Sequence, residues 1–157
     1  TLRFSKTNKR NFINKIFFPH DLKEQNLKQI SDPCNRLIQK KVLFLKEILI
    51  HPNSIHRKKE FLIQKKLKDL INLKTNTKKL RNKNSSIFIG KTTGIALSLE
   101  KGIDTYHICD DKEFQMYDSK LWKNLKHKEI LKNTFIYTQT RKKTFMLTKS
   151  EIKTKLL

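Results

Sequence analysis

Three dense groups of cations are the residues in this 157-residue chain best suited to chemistry: Arg57-Lys58-Lys59, then Lys78, Lys79, Arg81 and Lys83, then Arg141-Lys142-Lys143. A fourth, looser group opens the chain, where Arg3, Lys6, Lys9, Arg10 and Lys15 stand without an acid in the first 20 residues. Ammonium and guanidinium groups at this density do electrostatic work. Each one that meets a phosphate releases condensed counterions, so binding is strong and falls steeply with salt. The expected RNA-binding residues are therefore Arg3, Lys9, Arg10, Arg57, Lys58, Lys59, Lys78, Lys79, Arg81, Lys83, Arg141, Lys142 and Lys143. Any one of these lysines on its own reads as a solvated side chain; the argument rests on the groups. Phe4, Phe12, Phe17 and Phe18 are interleaved with the first group and offer rings for stacking on unpaired bases, although core burial is the expectation for Phe17 and Phe18.

Other constellations carry less. Glu100, Asp104, Asp110, Asp111, Glu113 and Asp118 concentrate six of the 14 acids in 19 residues, beside His107 and Cys109. Clustered carboxylates between basic flanks suit Mg²⁺-dependent phosphodiester cleavage, which makes a metal-dependent nuclease the alternative reading. Two plainer readings precede it: acids favouring the dipole of a following helix, and an acidic patch that docks a basic neighbour protein. His107-x-Cys109 lacks the second pair of ligands that a structural zinc site needs. Gly90-Lys91-Thr92-Thr93 shares the Gly-Lys-Thr of a phosphate-binding loop, but the position five residues earlier is Ser85 rather than Gly, and Ile95–Leu99 alternates like a strand where a helix should follow. No catalytic residue, metal site or cofactor is expected.

The formal net charge is +22, from 36 basic and 14 acidic residues. Self-repulsion on that scale opposes compaction unless a polyanion neutralises it. It is also zoned. Residues 1–99 carry net +17, residues 100–118 net −4 and residues 119–157 net +9. Phe, Tyr, Met, Ile, Asn and Lys supply 74 residues, whereas Gly, Ala, Arg and Pro supply 13, so residues with AT-rich codons dominate. Part of the preference for Lys over Arg is then mutational. The positive sign is not, because Asn and Ile absorb the same drift without adding charge. Two distant cysteines, Cys34 and Cys109, make no disulfide framework and fit a reducing compartment. No apolar run approaches the roughly 18 residues of a membrane span, so no membrane partner is expected.

The elements that must position these groups read as α+β. Residues 1–20 are expected to form a basic extended arm and 21–73 a helical region. Within it, Asp32-Pro33 looks like a helix start, with Ile38, Val42, Leu45 and Leu49 as its apolar stripe as far as Pro52. A second helix over about 55–73, carrying Ile63, Leu67 and Leu70-Ile71, completes an antiparallel helical hairpin over about 33–73. Residues 74–86 read as a basic linker. A small α+β unit over 87–157 follows: strands at 87–89, 95–99 and about 106–108, one helix over about 112–132, a hairpin of 134–140 with 143–147 whose tip is Arg141-Lys142, and a short helix from Thr148.

These observations imply a structural RNA-binding protein, expected in a ribosome and contacting rRNA or another structured RNA by Lys/Arg–phosphate pairs. The acidic 100–118 segment would meet a neighbouring ribosomal protein. Codon bias points to a mitochondrial ribosome, or else the cytoplasmic ribosome of an AT-rich organism. A structural protein that binds a different acidic polymer is a further alternative.

Overall fold

Ile16, Ile48, Ile87, Ile89, Tyr106 and Ile108 are scattered along the chain, and a six-stranded mixed sheet gathers them into one apolar cluster. The computed structural model describes residues 12–19, 21–39, 45, 47–71, 84–90, 92, 94–109 and 125–140. Its strands are β1 (Lys15–Phe17), β2 (Glu47–Leu49), β3 (Ser85–Ile89), β4 (Asp104–Ile108), β5 (Leu125–Leu131) and β6 (Thr134–Gln139). Its α-helices are α1 (Leu27–Gln39), α2 (Lys58–Leu70) and α3 (Gly94–Glu100). The architecture is α+β. Strand order is β2-β1-β3-β4-β6-β5, with the first four parallel and the β5–β6 hairpin antiparallel to its neighbours. Strands from both halves of the chain share this sheet.

Alternation along each strand sends residues to opposite faces. One face carries the isoleucines named above and is covered by α1 and α2, through Leu27, Ile30, Cys34 and Leu37 and through Ile63, Leu67 and Ile71. The other carries Phe88 and Tyr137, covered by Phe12 and by Ile95, Ala96 and Leu99 of α3. Contact is tight there: a Cβ on Gly94 would lie 2.6 Å from Phe88 Cε1, so the helix can start over that ring only with glycine.

The structure departs from the sequence-based expectation at four places. The first helix begins at Leu27, so Pro33 lies inside it rather than at its start. Proline in a helix interior costs about 3 kcal/mol. Burial of Leu27 and Ile30, each worth about 1.5–3 kcal/mol, outweighs that. The stripe that is buried is 27–30–34–37, not 38–42–45–49. Second, Glu47–Leu49 is a strand, pinned by the Lys15–Glu47 ion pair at 2.9 Å across β1 and β2. The two helices pack on one another but are joined through β2, so the direct hairpin of the expectation is replaced. Third, Ile95–Leu99 is helical. Its 95–97–99 alternation coexists with an i, i+4 pair, Ile95 and Leu99, and burial selects the latter. Fourth, Leu125–Leu131 is a strand where the 112–132 helix was expected. It folds back on β6 through a Lys132-Asn133 turn, with Asn133 at φ 57°. The arm at 1–11, the linker positions 72–83, and the expected elements at 112–124, 143–147 and from Thr148 lie outside the described residues.

Candidate nucleic-acid interface

The positive charge is unevenly shared between the folded elements and the rest of the chain. The described residues hold 14 basic and 9 acidic side chains, a net +5, so +17 of the +22 falls on the other residues. Of the 14, six lie between Arg57 and Lys68 on one helix and its first flanking residue. The described surface therefore has one cationic element, α2.

Its start is built from the turn upward. His51 precedes a single 3-10 turn, Pro52–Ser54, and its Nδ1 accepts from the Asn53 N–H at 3.2 Å. The buried amide of Gln64 ties this turn to the helix and to the sheet. Its Nε2 donates to the Pro19 carbonyl at 2.8 Å and to Ser54 Oγ at 2.6 Å, and its Oε1 accepts from the His51 N–H at 2.9 Å. The Arg57 N–H then donates to the Ser54 carbonyl, and the Arg57 carbonyl receives the first helical hydrogen bond, from Phe61. At the far end, Asn35 of α1 donates to the Leu70 carbonyl at 3.0 Å, occupying one of the last acceptors.

The direction and position of Arg57, Lys58 and Lys59 are thus set by a satisfied, buried network, while the side chains themselves are exposed. No side chain caps the start of α2. Cations there oppose the helix dipole, by about 0.3–1 kcal/mol each. Arg57 approaches Glu60 only at 3.9 Å, which leaves most of its donor fork unused. Lys58, Lys59, Lys65 and Lys68 form no ion pair with any described residue, whereas Lys66 pairs with Glu24. That hydrogen-bonded pairing holds the Glu24 carboxyl below the usual range.

Of the sequence-predicted site, the structure describes Arg57, Lys58 and Lys59 and brings them together on one helical turn. Arg3, Lys9, Arg10, Lys78, Lys79, Arg81, Lys83, Arg141, Lys142 and Lys143 lie outside the described residues. Sequence reasoning passed over Lys126, Lys128 and Lys132, which are exposed on β5 and its turn. Their two-residue spacing beside Lys132-Asn133 was the available hairpin signal. Gln64 carried no signal at all, because only the fold reveals that it is buried.

The remaining constellations resolve differently. The Gly90 N–H donates to the Ile108 carbonyl at 2.9 Å, and the Gly90 carbonyl lies 2.8 Å from His107 Nε2. The Gly94 N–H donates to Thr92 Oγ1 at 3.1 Å. Although a helix does follow this loop, these two amides are spent on the protein rather than aimed at a phosphate. His107 and Cys109 share a face of β4, with Cys109 Sγ 3.6 Å from His107 Nδ1, and both cysteines are free and buried. Burial pushes the Cys34 thiol well above its ordinary range. Among the described residues no three His, Cys, Asp or Glu side chains converge as metal ligands, and no helix is long and apolar enough to cross a membrane. Of the acidic stretch, Glu100 and Asp104 are described; Asp110, Asp111, Glu113 and Asp118 are not. No protein family, characterised protein or solved structure gives a match to this chain.

Proposed function

We propose that this chain is a structural RNA-binding protein of a ribosome, one that scaffolds rRNA through Lys and Arg contacts to phosphate and performs no chemistry on it. The observation that carries the reading is the start of α2. Three consecutive cations, Arg57, Lys58 and Lys59, occupy an uncapped helix N-terminus where stability alone favours acids. An anion is the missing partner for both the free N–H groups and the side chains. Net +17 on the residues beyond the described elements extends the same logic along the chain, since only a polyanion neutralises so much charge of one sign. The codon-biased composition favours a mitochondrial ribosome over the cytoplasmic ribosome of an AT-rich organism. The acidic 100–118 segment would then face a neighbouring ribosomal protein instead of RNA.

The test is a salt titration of binding to labelled rRNA fragments, with heparin as a generic polyanion. Replacing Arg57, Lys58 and Lys59 together by Ala is expected to weaken rRNA binding about tenfold or more at about 0.15 M salt. It should also flatten the slope of log K against log salt by about 2, given roughly 0.7–0.9 per lost phosphate contact. Affinity for rRNA no better than for heparin, or a slope unmoved by the triple substitution, defeats the reading.

A further inference from the structure

The large apolar side chains left exposed among the described residues are Ile55, Leu62 and Leu70, and all lie on α2 or in the turn before it. Scattered surface leucines need no explanation, but these follow one helix. Leu62 is 47% exposed and sits seven residues after Ile55, on the same side. With Ile63 it lines a groove of about 230 Å³ whose rim is Glu24, Lys59, Lys65, Lys66 and Asp69. Lys66 is taken by Glu24, whereas Lys59 and Lys65 have no ion-pair partner among the described residues.

That mixture discriminates between partners. RNA would meet Lys59 and Lys65, yet it would also bring phosphates up to Glu24 and Asp69 and leave Leu62 against hydrated backbone. A protein helix supplies both requirements: apolar side chains at i, i+3 and i+4 to cover Leu62, and carboxylates along their edge for Lys59 and Lys65. The geometry points to the Leu62 groove as a docking site for an amphipathic helix of a protein partner, apolar on its contact side and acidic at its rim. The first turn of α2 is left to phosphate and the turns after it to protein, so the two sites adjoin without sharing their central residues. The inference stands independently of the RNA reading.

A synthetic helical peptide with Leu at i, i+4 and i+7 flanked by Glu, and a scrambled peptide of the same composition, provide the probes. Both are titrated into the full chain at about 0.3 M salt, where simple charge attraction is screened. The ordered peptide is expected to bind about tenfold tighter than the scrambled one, and Leu62→Lys to erase that difference. Because Leu62 is exposed, thermal unfolding of the variant should match the parent. Equal binding of the two peptides, or a preference that survives Leu62→Lys, overturns the inference. So does a loss of rRNA hairpin affinity beyond about twofold in Leu62→Gln, which would give the face to RNA. A concentration-dependent dimer abolished by Leu62→Lys also overturns it, assigning the face to a second copy. The Arg57, Lys58 and Lys59 substitutions read out the RNA proposal separately.

Discussion

The two faces of the sheet are built on different terms. One is aliphatic: Ile16, Ile48, Ile87, Ile89 and Ile108 lie under two 13-residue helices that interlock through Leu27, Ile30, Leu37 and Leu67. The other has a single seven-residue helix, and aromatic rings supply the bulk that a second helix would have given. Phe17 and Phe88 stack at 4.6 Å with planes 7° apart, and Phe12 packs against both. Polar groups enter this face but are satisfied, as when Thr105 Oγ1 donates to Ser98 Oγ at 3.1 Å. The difference teaches where binding can reside. A helix whose inner stripe is anchored by Ile63, Leu67 and Ile71 can devote its outer surface to exposed lysines. A short helix anchored on one ring has little surface to spare.

Phe88→Ala is the harshest test of this contrast. It removes the ring that Phe12, Phe17 and Gly94 all touch and is expected to cost about 3–5 kcal/mol in urea unfolding. Leu67→Ala, on the aliphatic face, should cost about 2–4 kcal/mol, because neighbouring isoleucines can relax into the gap. A larger loss for Leu67→Ala would reverse the ranking of the faces. Next comes Gln64→Leu, which strands the Pro19 carbonyl, the His51 N–H and Ser54 Oγ. A loss of about 1–3 kcal/mol is expected, together with weakened rRNA binding through the displaced start of α2. If stability falls and the salt slope does not move, Gln64 has no part in positioning the cations.

The smallest effect belongs to Glu100, in the last turn of α3 on the aromatic face. Burial raises its carboxyl above the ordinary value, opposed in part by Lys101. A carboxyl raised in the folded state binds its proton more tightly there than in the unfolded chain. Ionising it therefore destabilises the fold as pH rises through the unfolded and then the folded value. Glu100→Gln is expected to stabilise the protein slightly at pH 7, with the gain vanishing below about pH 4, where both states are protonated. Thermal unfolding of parent and variant across that range checks it, and a gain that persists in acid would point to the helix C-terminus rather than to titration.

How much could be read in advance varies by element. The stripe Ile63, Leu67 and Ile71 marked α2, and alternation marked strands at β3, β4 and β6. Three-residue β1 and β2 carry no period to read. In Ile95–Leu99 the strand and helix periods are both present, and Asp32-Pro33 imitated a helix start within a stripe already under way at Leu27. At the candidate site, the run Arg57-Lys58-Lys59 was visible as composition. Its uncapped position, and the absence of carboxylates around Lys58, Lys59, Lys65 and Lys68 among the described residues, were not.

The sequence by itself determined the sign and zoning of the charge, the α+β class and the helix that carries the cations, because composition and short periods are local properties. Tertiary structure alone decided that Glu47–Leu49 is a strand, that Ile95–Leu99 coils over Phe88, and that Gln64 ties β1 to the start of α2. Each depends on a partner far away in the chain, and burial against that partner outweighs local preference.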